Sequence, residues 1–198
     1  MRVDGVPDKG RVLLAHGAGV GIDSPFMDAV AAGMVDIGLQ VVRFEFPYMQ
    51  RMREEGRRRP PDRLPVLIDA FRAVIDQYHQ PGTPLFLAGK SMGGRIASML
   101  LEDSPADAGF VFGYPFHAAG KQQLRINHLQ TLAKQLHIFQ GERDPMGSRQ
   151  EAESYELPAT VKLHWLTDGN HDLKPRKASG YSQEQHIACC MRWLGEYV

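Results

Sequence analysis

Cysteine is scarce in this chain: there are two among 198 residues, Cys189 and Cys190, side by side in a helical pattern. A disulfide between adjacent residues of a helix is sterically strained, so the sequence excludes the disulfide framework on which small secreted domains depend. We expect both to be reduced side chains that pack in the interior. The cysteines and histidines also lack the paired spacing typical of zinc sites, so neither a metal nor another cofactor is expected.

The chain also lacks long apolar runs and net charge. No run approaches the roughly 18 residues of a membrane span, and residues 1–10 lack the apolar core of a secretory signal, which predicts a cytoplasmic protein without a membrane segment. Basic and acidic residues balance at 23 each. Because no overall field draws the protein to nucleic acid or to anionic membranes, we expect neither as a partner. The expected partner is a small-molecule substrate, and the expected assembly is a monomer or homodimer.

Six short apolar runs alternate with helical patterns, at residues 11–16, 40–46, 84–89, 109–113, 135–140 and 160–166. Such alternation is typical of βαβ units around a parallel sheet. The second and sixth runs alternate apolar with polar residues, which is typical of edge strands. The sequence therefore predicts a single α/β domain over residues 1–198. It has three layers and a doubly wound, mainly parallel sheet of about six strands in the order 2-1-3-4-5-6.

Apolar residues at helical spacing predict the helices between these strands. One begins after Ser24, a second begins near Asp62, and the last covers about residues 182–197. Residues 47–61 and 114–130 are predicted to be long loops that rim the ligand crevice. The crevice is expected beyond the carboxyl ends of the first and third strands, where the winding direction reverses.

The sequence GKSMG at residues 89–93 follows the third predicted strand and opens a helical pattern. This context is that of a nucleophile elbow, in which G-x-S-x-G holds a serine at the tip of a strained turn. The glycines allow the backbone to approach closely, so Ser91 is the predicted nucleophile. A phosphate-binding loop is excluded, because the glycine that such a loop requires upstream falls at Pro84.

A serine hydroxyl needs a base within reach and a group that orients the base. In the elbow arrangement these follow in the order serine, acid, histidine. The segments after the fifth and sixth strands offer Asp144, in a turn before a proline, and His171, in a Gly-Asn-His turn. Glu142 is the alternative acid. Asp168 and Asp172 are expected to cap or solvate the histidine loop.

Backbone donors near this serine would stabilise the oxyanion of an acyl-transfer reaction. The predicted donors are the N–H groups of Met92, at the helix start, and of Ala18, in the glycine-containing loop after the first strand. Gly19 is the alternative to Ala18. Gly19, Tyr114 and His117 are candidate substrate contacts, although His117 also fits a solvated loop position.

Several basic residues near the elbow allow two interpretations. Lys90 and Arg95 flank the serine, where a cation either attracts an acidic substrate or forms a salt bridge. Six arginines within residues 51–63 are able to bind a carboxylate, a phosphate or nucleic acid. Since no stacking aromatic residues interleave with them, a solvated mobile loop is the expected state.

Over about residues 11–198 the chain resembles the α/β-hydrolase superfamily, in a small form without the first antiparallel strands and without a cap domain. More narrowly it resembles the group related to testis-expressed protein thirty and to subunit three of the NSL chromatin complex. The resemblance implies Ser91 as nucleophile, Asp144 as acid and His171 as base, and it implies no particular substrate. The matching segments are residues 16–19 (HGAG), 89–95 (GKSMGGR), 113–117 (GYPFH), 140–144 (QGERD) and 169–172 (GNHD).

These residues predict a cofactor-free serine hydrolase that cleaves a small ester or thioester through an acyl-enzyme. An amidase or peptidase is an alternative, because the same three side chains would serve it. A non-catalytic binding or scaffold protein with a retained hydrolase fold is the other, since some relatives of the narrower group act as complex subunits. The complete set of three side chains favours the enzyme, because a scaffold requires none of them.

Overall fold

A single seven-stranded sheet forms the centre of the computed structural model, which describes all 198 residues. The strand order is β1-β3-β2-β4-β5-β6-β7, with β1 antiparallel to β3 and every other neighbour parallel. The last six strands have the predicted order. The strands are β1 (Arg2–Asp4), β2 (Gly10–Ala15), β3 (Leu39–Phe44), β4 (Leu85–Lys90), β5 (Ala108–Phe112), β6 (Gln135–Gly141) and β7 (Val161–Leu166).

Helices cover both faces of the sheet, which confirms the predicted three layers. Alternate residues of β4 show why: Leu85 and Leu87 join one apolar core, with α3 and α4, while Phe86 and Ala88 join the other, with α1 and α6. None of the helices is long and apolar enough to span a membrane. The helices are α1 (Pro25–Asp36), α2 (Pro47–Glu55), α3 (Leu64–Tyr78), α4 (Met92–Leu101), α5 (Arg149–Ala152) and α6 (Gln183–Tyr197).

The first strand, β1, corrects two expectations. No strand was predicted before residue 11, where the resemblance implied that the first antiparallel strands are absent, and β3 was predicted to lie at an edge. In the structure β1 pairs with β3 and covers it. Arg43 of β3, a polar residue of the alternating pattern, is 1% exposed and pairs with Asp4 of β1 at 2.8 Å and Asp28 of α1 at 2.5 Å. The alternation therefore reflects a buried ion pair at this position, whereas β7 lies at an edge as predicted.

The arginine-rich segment is also more ordered than predicted. Residues 47–55 form α2, which begins at a proline and ends at Gly56 with a left-handed φ of 64°. The sequence does not reveal this helix, because only Tyr48 and Met49 are buried and two residues do not make a helical pattern of apolar positions. The second predicted helix, α3, begins at Leu64, close to Asp62 as predicted, but Asp62 pairs with Arg51 and does not cap the helix.

Two helix starts agree with their sequence signals. The Ser24 hydroxyl accepts the Met27 N–H at 3.3 Å at the start of α1, and Ser182 forms a reciprocal capping box with Gln185 at the start of α6. Residues 114–130 lack regular structure, as predicted. The carboxyl ends of β2, β4, β6 and β7 all face one edge of the sheet, and their loops meet there.

Candidate active site

Ser91 lies in a strained turn between β4 and α4, with a φ of 52° and a ψ of −115°. Its N–H donates to the Phe112 carbonyl at 3.0 Å, which ties the turn to the next strand. Two flanking glycines are required by close backbone contacts. A Cβ on Gly89 would lie 2.4 Å from the carbonyl carbon of Gly93, and one on Gly93 would lie 2.5 Å from the His16 oxygen. The segment has the geometry of a nucleophile elbow.

Three side chains from different loops form a hydrogen-bonded chain at this turn. The Ser91 Oγ lies 2.7 Å from Nε2 of His171, and Nδ1 of His171 lies 2.7 Å from Oδ2 of Asp144. A carboxylate can only accept, so Nδ1 carries the proton and Nε2 accepts from the serine hydroxyl. The Asp144 side chain is fully buried, while that of His171 is 20% exposed. This is the arrangement in which a serine is activated for attack.

The buried carboxylate of Asp144 has two further donors. The Met146 N–H donates to Oδ1 at 2.8 Å, and the Gln140 amide donates to Oδ2 at 2.9 Å. Gln140 is itself fully buried, accepts the Tyr114 N–H at 2.7 Å and donates to the Gly147 carbonyl at 3.1 Å. Sequence reasoning did not find Gln140. A polar residue near the carboxyl end of a buried strand was the available signal.

The alternative acid, Glu142, has other partners: it pairs with Arg149 at 2.9 Å and accepts the Asp168 N–H at 3.0 Å. Asp168 also pairs with Arg143 at 2.7 Å and with Arg176. Neither carboxylate contacts a histidine of the hydrogen-bonded chain. The structure therefore brings the predicted Asp144, and not Glu142, to the imidazole.

Lys90, the residue before the serine, holds the histidine loop. Its Nζ donates to the His171 carbonyl at 2.9 Å and pairs with Asp172 at 3.2 Å, and the residue is only 6% exposed. Burial lowers the pKa of Lys90, and the Asp172 carboxylate opposes part of that shift. Of the two interpretations of Lys90, the salt bridge is the one that the structure shows.

The residues of the two predicted oxyanion donors, Met92 and Ala18, line the same cavity beside Ser91. Met92 is the first residue of α4, where an N–H has no acceptor within the helix. The N–H groups of Ala18 and Gly19 donate to no protein acceptor. Their loop is fixed by the buried His16, which bonds the Gly17 carbonyl at 2.7 Å and accepts the Phe46 N–H at 3.1 Å; burial lowers the pKa of its ring.

Two predicted substrate contacts do not reach the site. Tyr114 is fully buried, and its hydroxyl donates to the Arg125 carbonyl at 2.7 Å. His117 is 7% exposed and lies 3.5 Å from Glu151, on a side that lines neither cavity beside Ser91. The loop after β5 turns back into the core, so its aromatic residues pack there instead of facing the crevice. Gly19 does line the crevice.

Two cavities meet at Ser91. The first, of about 350 Å³, is bordered by the loop after β2, by apolar side chains including Phe26 and Met27, and by Lys90. The second, of about 480 Å³, lies on the side of α4 and is lined by Arg95 and Arg125 beside apolar residues. Both have volumes typical of small-molecule sites. No group of His, Cys, Asp and Glu side chains is placed to hold a metal ion.

A second serine–histidine pair lies nearby, between Ser98 and His128, at 2.9 Å. Ser98 is 2% exposed and donates to the Arg95 carbonyl at 2.8 Å. His128 has no carboxylate partner, and burial, together with the charge of Arg95, lowers its pKa to about 4. This pair lacks both an accessible hydroxyl and an orienting acid.

Solved structures share this fold at low sequence identity. An α/β serine hydrolase without a lid from Xanthomonas campestris is 18% identical, with a TM-score of 0.70 over 99% of this chain and 88% of that one. Est1E from Butyrivibrio proteoclasticus, solved with ferulic acid bound, is 14% identical, with a TM-score of 0.72 over 98% and 93%. A monoacylglycerol lipase from Paleococcus ferrophilus is 12% identical, with a TM-score of 0.73 over 100% and 98%. At these identities the likeness shows the fold alone.

No curated protein sequence matches the chain closely enough to count as a relative. A family model does match: the model described as "Alpha/beta hydrolase domain" aligns with residues 8–198. This span includes the elbow, both loops that carry the acid and the histidine, and every strand except β1. By fold and by family model, the chain belongs to the alpha/beta hydrolase domain family.

Proposed function

We propose that the protein is a serine hydrolase that cleaves a small ester or thioester through an acyl-enzyme. The observation that carries the proposal is the continuous hydrogen-bonded chain from Asp144 through His171 to Ser91, with both links at 2.7 Å. A fold that only bound a partner would not need a strained serine, an accessible imidazole and a fully buried carboxylate in one line.

In the first half of the reaction the Ser91 oxygen attacks the acyl carbon while His171 Nε2 takes the hydroxyl proton. The Asp144 carboxylate keeps the ring oriented and stabilises the imidazolium that forms. The N–H groups of Met92 and Ala18 hold the negative charge of the tetrahedral intermediate. When the intermediate collapses, the bond to the leaving group breaks and His171 gives that group its proton, leaving an acylated serine.

In the second half a water molecule attacks the acyl carbon and gives its proton to His171. The second tetrahedral intermediate expels the Ser91 oxygen, which recovers the proton from Nε2, and the carboxylic acid leaves. The complete reaction consumes only the ester and one water molecule. The small acyl substrate is supported by the two open cavities beside the serine and by the ferulic acid that Est1E binds.

We also propose that residues 1–198 form one domain and that the chain is a relative of the narrower testis-expressed and NSL-subunit group. One continuous sheet supports the first part. Support for the second part comes from the motif residues, since the segments 16–19, 89–95, 140–144 and 169–172 meet at one edge of the sheet.

The test is hydrolysis of p-nitrophenyl acetate and p-nitrophenyl butyrate by the purified protein. We expect turnover that Ser91→Ala reduces by at least about a thousandfold, since removing a nucleophile has effects of this size or larger. Ser98→Ala is the matched control, because it removes the hydroxyl of the other serine–histidine pair, and it should keep turnover within about threefold. Equal losses in both variants, or no turnover by the folded wild type, would refute the proposal.

A further inference from the structure

The second cavity beside Ser91 contains two arginines that face the same space. Arg95 lies in the first turn of α4, four residues after Ser91, and both residues line this cavity. Arg125 comes from the loop of residues 114–130. Its backbone is fixed at both ends, because its N–H donates to the Phe116 carbonyl at 2.7 Å and its own carbonyl accepts the Tyr114 hydroxyl at 2.7 Å.

Neither guanidinium has a carboxylate within salt-bridge distance, unlike Arg43, Arg51 and Arg176, which are all paired. The Nε of Arg95 is buried and has no hydrogen-bond partner. A buried, unpartnered donor on a cation is costly, so such a group indicates a ligand that completes its hydrogen bonds.

No neighbouring titratable group forms an ion pair with these two guanidinium groups. Burial lowers the pKa of Arg95, the neighbouring Tyr114 hydroxyl opposes part of that shift, and the charge of Arg125 lowers the pKa further. Burial raises the pKa of Tyr114 well above its usual range, so the phenol beside Arg95 is neutral. His128, whose pKa is about 4, is neutral as well. Asp62 is the single carboxylate that lines the cavity; Arg51 pairs with its Oδ1, while its Oδ2 is buried without a hydrogen-bond partner.

The first cavity has the opposite character. Its one cation, Lys90, is paired with Asp172 and bonded to the His171 carbonyl, and most of its remaining surface is apolar. The two sides of Ser91 therefore differ: one is largely apolar with a paired cation, and the other presents two guanidinium groups without a carboxylate partner.

We propose that the cavity of Arg95 and Arg125 is the subsite for an oxyanionic group of the substrate, a carboxylate or a phosphate. Guanidinium groups suit both, because their planar donors bond two oxygens at once. This inference rests on the proposed function. It makes the substrate an ester with an apolar group on one side of the scissile bond and an anion on the other.

The test compares kcat/KM for esters that differ mainly in charge. One set varies the alcohol side: 4-acetoxybenzoate and 4-acetoxyphenyl phosphate against the neutral methyl 4-acetoxybenzoate. The other varies the acyl side: mono-p-nitrophenyl succinate against p-nitrophenyl valerate. We expect at least one anionic ester to be preferred about tenfold or more, which is the effect of one charge-assisted hydrogen bond. The carboxylate and phosphate arms tell the two anions apart.

Substitutions then connect the preference to the cavity. Arg95→Gln and Arg125→Gln should each reduce the ratio of anionic to neutral kcat/KM by about tenfold. Arg58→Gln is the matched control, since this arginine is exposed and unpaired but lies outside the cavity, and it should leave the ratio unchanged. If Arg95→Gln does not fold, as judged by circular dichroism, the loop variant Arg125→Gln decides the question.

The outcomes separate the two proposals. Turnover of neutral esters with no preference for any anionic one would overturn the subsite and leave the hydrolase intact. If no ester is turned over, a binding measurement tests the subsite: the wild type is titrated with 4-hydroxybenzoate and with phenyl phosphate, and NMR monitors each titration. Binding that weakens about tenfold in Arg125→Gln supports it, and absence of binding, or binding equal in that variant, overturns it.

Discussion

Replacing Gln140 with leucine tests how the acid is held in place. Leucine has a similar volume and suits a fully buried position, so the change removes the amide without opening a large cavity. It deletes the donor to Asp144 Oδ2 at 2.9 Å and leaves two buried backbone groups, the Tyr114 N–H and the Gly147 carbonyl, without these partners. The Tyr114 carbonyl also loses the amide, at 3.1 Å, but keeps the Phe116 N–H.

The magnitude follows from those groups. A buried backbone group that loses its only partner costs about 1 to 3 kcal/mol, so two of them together cost roughly 2 to 6 kcal/mol, less a gain of about 1 kcal/mol from apolar burial. For a chain of this size, a loss of about 3 kcal/mol lowers the Tm by roughly 6 to 12 °C. The lost donor to the carboxylate should lower kcat about tenfold, because the imidazole is then oriented less firmly.

The assay is thermal unfolding followed by circular dichroism, together with kcat for p-nitrophenyl butyrate below the Tm. Gln77→Leu is the matched control, since Gln77 is exposed on α3, and it should leave both quantities nearly unchanged. If Gln140→Leu behaves like Gln77→Leu, the buried amide does not support the acid, and the reasoning about this network is wrong.

Three further changes have defined outcomes. Gly93→Ala places a Cβ 2.5 Å from the His16 oxygen and should lower kcat at least about a hundredfold, whereas Gly195→Ala, with 3.6 Å of room, should not; ester assays of both variants decide this. Lys90→Met removes the bonds to the histidine loop and should lower kcat about tenfold with little change in KM; an unchanged kcat would contradict that role. Burial, reinforced by His164 and Lys162, lowers the pKa of His137 from 6.5 to about 4, so the folded state resists protonation of this ring. The neutral ring therefore contributes up to about 3 kcal/mol to the free energy of unfolding, fully above pH 6.5 and progressively less as the pH falls toward 4. Urea unfolding at pH 7.5 and 4.5 should show a smaller decline for His137→Leu than for the wild type.

Much of the fold follows from local patterns. Continuous apolar runs mark strands that are covered on both faces, and their alternation with helices fixes the order of six strands. The short strand β1 has only three residues, none fully buried, so no periodicity reveals it. Its presence also changes the meaning of Arg43, because a polar residue in an alternating strand indicates solvent unless a distant carboxylate covers it.

The site was predictable where chemistry restricts residue type. Ser91 needs glycine neighbours, so the G-x-S-x-G spacing identifies it as the candidate nucleophile. The acid and the histidine must follow the ends of later strands, so their positions after predicted strands make Asp144 and His171 the candidates for these roles. Tyr114 and His117, which the sequence suggested as substrate contacts, are buried in the structure, since only tertiary packing decides whether a loop side chain faces the crevice or the core. The hydrogen bonds of Gln140 are made to residues of other loops, which no local pattern encodes. For Arg95 the sequence left two interpretations open, because only the tertiary structure shows that no carboxylate reaches it.

The most direct test of the central claim is reaction with a fluorophosphonate, followed by mass spectrometry of the intact protein and of its peptides. Because the hydrogen-bonded chain activates one hydroxyl, we expect a single adduct on Ser91, no adduct in Ser91→Ala, and labelling slowed at least about a thousandfold in His171→Ala. A folded wild-type protein that never labels, or an adduct on any other side chain, would contradict the account.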